Sequence, residues 1–225
     1  MMFCYQCEQT QHGTGCQLER GVCGKDEDTA ALQDLLIHAA KGIAMYAHRA
    51  GELGVRDRDV DVFTVEALFT TVTNVNFDPE RVAELLHKAA MIRDKAKQNY
   101  LDACQKSGKE PETFNGPSTW TPAPDLKGLI DQGHGVTILN RMKALGEDVV
   151  SLQELLTYGL KGAAAYADHA QILGQEDNVI YAYFQEALNF LTRNDATVDE
   201  LIAMNMRCGE ICVRVLELLD SANTG

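Results

Sequence analysis

Between Leu32 and Leu53 apolar residues return at three- and four-residue steps, through Leu35, Leu36, Ala39, Ile43, Tyr46 and Ala50. That spacing paints one face of an α-helix. Asp28 is a candidate N-cap for it, and Gly54 a candidate left-handed stop. A second helix is expected from about Asp59 to Val72, although Val62-Phe63-Thr64-Val65 and Thr70-Thr71-Val72-Thr73 would also suit a strand. Asp78-Pro79 reads as a cap followed by proline in the first turn. Val82, Leu85, Leu86, Ala89, Ile92 and Ala96 then carry a third stripe toward Cys104, with Ser107-Gly108 as its end.

The pattern then repeats. Leu32 to Gly54 (LQDLLIHAAKGIAMYAHRAGELG) laid on Leu152 to Gly174 (LQELLTYGLKGAAAYADHAQILG) is identical at 12 of 23 positions without gaps, at an offset of 120. The same offset aligns Glu27-Asp28 with Glu147-Asp148 and Glu66-Ala67-Leu68 with Glu186-Ala187-Leu188. The second copy predicts helices over Asp148 to Leu173, Asn178 to Leu191 and Asp199 to Leu219, the last opened by the capping box Thr197-Val198-Asp199-Glu200. The helix-forming copy Tyr181 to Leu191 decides the ambiguous stretch of the first copy in favour of helix. Between the copies, Pro111, Pro117, Pro122 and Pro124 crowd together with Gly108, Gly116 and the single tryptophan, Trp120. This is a linker or excursion. The expected fold is all-α: two duplicated three-helix bundles (28–107 and 147–225), a Pro/Gly-rich connection (108–146) and a cysteine-rich segment (1–27) draped over one end.

Composition narrows the possible partners. The 225 residues are 45% hydrophobic and 24% charged, as in an ordinary globular protein. Twenty Lys and Arg against 33 Asp and Glu leave a formal charge of −13, which repels phosphate backbones and anionic lipid, so nucleic acid and membrane are not expected partners. No apolar run reaches the length of a spanning helix, and the start, Met1-Met2-Phe3-Cys4, lacks the features of a signal peptide. A cytoplasmic location is expected.

Seven cysteines cannot all pair, and four of them fall in the first 23 residues as Cys4-x2-Cys7-x8-Cys16-x6-Cys23, among Gly13, Gly15, Gly21 and Gly24. Iron–sulfur clusters take four thiolates, and glycines let backbone N–H groups approach the sulfurs. The start of the first helix, a few residues after Cys23, could turn its positive end toward such an anion. Structural zinc also takes four cysteines, although typical sites carry a second C-x2-C or an H-x3-H knuckle. Regulatory thiols are the third reading.

The segments Met2-Phe3-Cys4-Tyr5-Gln6-Cys7-Glu8-Gln9-Thr10, Gly15-Cys16, Gly21-Val22-Cys23-Gly24-Lys25 and Leu32-Gln33-Asp34-Leu35-Leu36 closely resemble the start of the hybrid cluster protein (prismane) family. The resemblance continues through Thr73-Asn74-Val75-Asn76-Phe77 and Tyr158-Gly159-Leu160-Lys161-Gly162 to the end of the chain. It implies an N-terminal domain of two three-helix bundles with an iron–sulfur cluster on Cys4, Cys7, Cys16 and Cys23, in a family of hydroxylamine reductases linked to nitric oxide reduction. Family chains are more than twice as long. Their second, hybrid cluster takes ligands from later domains beyond Gly225, so this chain alone is expected to relay electrons without turning over substrate. The x8 interval matches the family's 4Fe-4S class and the x6 interval its 2Fe-2S class; the longer interval favours 4Fe-4S, with 2Fe-2S the alternative. A redox partner protein is expected as donor, and the later domains as a possible partner. The rival functions are a stand-alone redox or oxygen sensor and a structural zinc module.

Cys104, Cys208 and Cys212 are read as bystanders, the latter two sharing a helix face as small apolar residues. The scattered histidines show no metal-binding pair, and only His12, inside the cysteine loop, has a claim to a supporting role. Lys41-Gly42 with Tyr46, and Lys161-Gly162 with Tyr166, recur in both copies and are read as packing elements. Met91, Met142, Met204 and Met206 are read as core filler.

Overall fold

The structure, a computed structural model, describes residues 2–224. Among these there are eight α-helices and no strand, only the isolated bridges Cys4–Cys16 and Arg20–Asp26. The chain is all-α, as the periodicity requires. The first copy supplies α1 (Glu27–Glu52), α2 (Arg58–Thr70) and α3 (Pro79–Ser107). Asp26, not Asp28, caps α1, its carboxylate accepting from the Thr29 N–H at 2.8 Å. Asp28 instead lies in the first turn beside Glu27, where a negative charge favours the helix dipole. The ambiguous second segment is helical. Thr64 and Thr70 satisfy their hydroxyls on the Val60 and Glu66 carbonyls, both at 2.8 Å, so the β-branched residues leave no polar group orphaned. Asp78 caps α3 ahead of Pro79, and Gly108 ends it in the left-handed conformation, with φ of 68°.

The connection is more ordered than its composition implies. It carries a 3-10 turn (Gly116–Thr119) and two further helices, α4 (Leu126–Gly135) and α5 (Ile138–Leu145). In α4, low intrinsic propensity is overridden by tertiary contact. Leu129 is fully buried, and Gly133 presses so closely on α1 that an added Cβ would lie 2.6 Å from the Ala31 carbonyl carbon. The second copy follows as α6 (Glu147–Ile172), α7 (Asn178–Phe190) and α8 (Val198–Thr224). The expected capping box opens α8: Thr197 N donates to Glu200 Oε2 at 2.8 Å and Glu200 N to Thr197 Oγ1 at 3.3 Å.

Within each copy the two long helices pair, α1 with α3 and α6 with α8, but the short middle helices are exchanged. α7 packs mainly on α1 and α2 mainly on α6, so one continuous core, including Phe63, Leu68, Phe184 and Leu188, runs through both halves. A buried polar link fastens the exchange: Gln185 Nε2 donates to Asp61 Oδ1 and Thr64 Oγ1, each at 3.1 Å. α1, touched by α2, α3, α4 and α7, is therefore buried around most of its circumference. Of the methionines expected in the core only Met204 is fully buried, while Met91 and Met206 are exposed because they fall on the outer faces of α3 and α8.

The repeated Lys-Gly-Tyr elements do not share one environment. Gly42 lies against the 3-10 turn and Tyr46 packs edge-on to Phe114 at 5.3 Å. Gly162 meets nothing within 4 Å and Tyr166 is exposed. The packing role holds in the first copy only, because the connection covers α1 and leaves the equivalent face of α6 open.

Candidate metal centre and the adjoining cavity

The cysteine segment is folded by its own backbone. Cys4 N donates to Cys16 O at 3.1 Å and Cys16 N to Cys4 O at 2.7 Å, closing the first loop. Gly21 N donates to Lys25 O at 2.7 Å and closes the second. Gly15, with φ of 104°, allows the turn into Cys16; a Cβ there would also lie 2.9 Å from the Phe3 ring. The two residues between Cys4 and Cys7 clamp the segment onto both copies. Tyr5 OH donates to Glu154 Oε2 at 2.9 Å, and its carbonyl accepts from Tyr158 OH at 3.2 Å on α6. Gln6 O accepts from Thr73 Oγ1 at 2.9 Å, just beyond α2. With its amide nitrogen donating to the Thr71 carbonyl at 3.1 Å, the Gln6 side-chain oxygen accepts from Lys161 Nζ at 3.2 Å.

Cys4, Cys7, Cys16 and Cys23 all line one small cavity, together with Met2, Thr10, Gly21, Val22, Lys25 and Thr73. Cys16 is buried and the other three thiols are half-buried. Gly21 borders two of the sulfurs: an added Cβ would stand 3.6 Å from Cys23 Sγ and 3.7 Å from Cys16 Sγ. Lys25, 2% exposed, donates to Gln33 Oε1 at 2.6 Å, and Gln33 donates to the Asn76 carbonyl at 2.8 Å. No three Cys, His, Asp or Glu side chains among the described residues converge closely enough to hold a single metal ion. Four thiols around one cavity, a glycine that lets backbone pass close to sulfur and a buried cation nearby fit an anionic iron–sulfur group in donor number, access and charge.

The remaining candidates lie elsewhere. His12 is exposed and does not line this cavity. Cys104 is buried in the core on α3, and Cys208 and Cys212 pack on α8 against Gly159 of α6. His38, which its sequence neighbours gave no reason to single out, lines a second, larger cavity of about 460 Å³ between α1, α5 and α6.

That cavity shares Cys4, Tyr5 and Lys25 with the surroundings of the cysteine site, and its charged lining includes Asp34, Lys41, Arg141, Glu154 and Lys161. Burial and the Arg141 guanidinium push the Lys41 ammonium down to about 7, and burial holds Lys161 at about 8 against the pull of Asp34 and Glu154. Burial raises Asp34 to about 7, and burial with the charge of Lys41 lowers His38 to about 4. Burial opposes the ionised Glu154, but Arg141, paired directly with it, and Lys41 keep it below the usual carboxylate range. A signal for this site was present in the sequence: an acid seven residues ahead of a lysine in both copies, Asp34…Lys41 and Glu154…Lys161.

Helical framework, clamped amino-terminal segment and four thiols opening on one cavity together define the class, an all-α protein with a cysteine-rich N-terminal site. The chain belongs to the Prismane/CO dehydrogenase family, whose model matches residues 2–225. Over 224 residues, its whole length, it is 48% identical to a hydroxylamine reductase of Rhodospirillum rubrum. It is 48% identical over 225 residues, 99% of the chain, to one of Halothermothrix orenii, and 44% identical over 224 residues, again its whole length, to one of Methanocella arvoryzae. The chain spans 41% of the Rhodospirillum rubrum relative and 40% of each of the other two. Among the described residues no helix is long and apolar enough to cross a membrane.

Proposed function

We propose that the chain holds one iron–sulfur cluster, of the 4Fe-4S type, on Cys4, Cys7, Cys16 and Cys23, and relays electrons through it toward reduction of hydroxylamine or nitric oxide elsewhere in a longer protein. The observation that carries this reading is the lining of one small cavity by all four thiols of the N-terminal segment and by none of the other three. When bound, such a group supplies one-electron transfer at a potential tuned by charge, hydrogen bonds and solvent exposure. The chain's own residues do the tuning. Met2, 3% exposed, closes one side against water. Lys25 offsets negative charge, and its bond to Gln33 holds it in place. Tyr5 and Gln6, fixed to α6 and to the residues after α2, hold Cys4 and Cys7 at a set spacing, which limits reorganisation when charge changes. The surface, at −13 overall, favours a donor protein with a basic face.

Single Cys→Ser variants test the assignment through iron and acid-labile sulfide content. Replacing Cys4, Cys7, Cys16 or Cys23 is expected to strip or convert the cluster, whereas Cys104→Ser, Cys208→Ser and Cys212→Ser should keep it. A colourless protein with one zinc per chain, or a Cys16→Ser protein with full iron, would overturn the reading.

A further inference from the structure

The geometry points to the cavity of about 460 Å³ between α1, α5 and α6 as a binding site for a small oxyanion, either inorganic or a carboxylate, held chiefly by Lys41 and Lys161. The proposal does not depend on the electron-relay reading.

Its lining has more positive than negative charge. Lys25, Lys41, Arg141 and Lys161 face Asp34 and Glu154. Two of the cations are already engaged, Lys25 with Gln33 and Arg141 with Glu154 and Gln153. Lys161 has a single neutral partner, the Gln6 amide oxygen at 3.2 Å. Lys41, 7% exposed, makes no hydrogen bond or ion pair among the described residues, although it lines an open volume. A buried amine without a hydrogen-bond partner is costly, whether it is charged or neutral. Packing alone would be served as well by Met or Leu. The two lysines stand at equivalent positions of the duplicated helices, as do Asp34 and Glu154, so the two copies direct matching charged arms into one cavity.

Access and size fit the same ligand. Exposed residues Asn115 and Gly116 at the 3-10 turn, Gly135 at the end of α4 and Asn194 after α7 border the cavity and give a route from solvent. The volume is many times that of one water, enough for an oxyanion with part of its hydration shell. Ammonium groups suit such a guest because each gives charge-assisted hydrogen bonds without demanding a planar, two-toothed partner.

Isothermal titration calorimetry on the 225-residue chain, with sodium nitrate, phosphate and acetate against chloride at constant ionic strength, tests the proposal and separates inorganic from carboxylate ligands. Saturable binding of at least one oxyanion is expected, weakened about tenfold or more by Lys41→Met and by Lys161→Met, the loss of one charge-assisted hydrogen bond. It should be unchanged in Lys143→Met, an exposed position on α5 outside the cavity. Absence of saturable binding with all three salts, or affinity in Lys41→Met and Lys161→Met equal to that of the unaltered chain, would overturn it. Should those variants not fold, amide resonances of the unaltered chain decide. Gly116, Gly135 and Asn194 must shift with oxyanion and not with chloride, and shifts confined to other regions refute the site.

Discussion

Gly42 and Gly162 occupy the same place in the two copies, each following a buried lysine in a long helix, yet Gly→Ala should act in opposite directions at the two sites. Alanine is the better helix former at an interior position by about 1 kcal/mol. At Gly162 an added methyl meets nothing within 4 Å, so that gain is uncompensated, and Gly162→Ala is expected to stabilise the protein by up to about 1 kcal/mol. At Gly42 the methyl would overlap the Pro117 carbonyl oxygen and stand 2.7 Å from its carbon and 3.2 Å from Ser118 N. All three are backbone atoms of the Gly116–Thr119 turn, which cannot swing aside as a side chain would. Overpacking of this kind typically costs about 1–3 kcal/mol, and the rigid obstacle puts Gly42→Ala at or beyond the upper end. After the propensity gain, a net loss of about 2 kcal/mol remains, so the two variants should differ by about 3 kcal/mol. Urea unfolding followed by circular dichroism, with iron loading matched between samples, reads this as midpoints displaced in opposite directions at equal m. Equal midpoints, or Gly162→Ala as the more damaging change, would show that the one-sided cover of the connection over α1 is wrong.

Stability should depend on pH through the charged cavity. The folded-state pKa of Lys41 lies near 7, below its unfolded value, so its penalty is fully present below pH 7 and fades as pH rises toward 10.5. Lys41→Met should therefore stabilise by a few kcal/mol near pH 6 and by little near pH 10, in thermal unfolding across that range; a constant difference would exclude a buried ammonium. Asp34, raised to about 7, contributes stability that is present below pH 4 and lost between 4 and 7, and Asp34→Asn should flatten that fall. Thr197→Ala removes one half of the capping box on α8 and should cost about 1 kcal/mol, measured by the urea midpoint; no change would mean the box is not closed in solution. With reduced viologen as donor, the chain should take up and release electrons reversibly without sustained reduction of hydroxylamine, since the proposed cluster, held by four cysteines, would leave no open metal position. Turnover well above buffer controls would refute the relay reading.

Much of this protein was legible in residue order because the relevant physics is local. Apolar steps of three and four drew the long helices, Asp78-Pro79 and Thr197…Glu200 set their starts, and Gly108 set an end, since caps and left-handed turns depend on neighbouring residues alone. The offset of 120 exposed the duplication, and four cysteines within 20 residues marked the N-terminal site, because a short loop needs no distant partner to gather them. What tertiary structure decided involves residues far apart in the chain. Helices α4 and α5 form in a Pro/Gly-rich stretch because α1 and α6 offer surfaces to bury them, a gain that outweighs weak propensity. The exchange of α2 and α7 between copies leaves no mark on periodicity, since either partner buries the same stripe. Identical Lys-Gly pairs came to differ because only one lies under the connection. The repeat of Asp34…Lys41 as Glu154…Lys161 is visible in residue order, but its meaning is not: only the cysteine segment and α5, closing over these residues and His38 from distant parts of the chain, enclose those charges in a cavity.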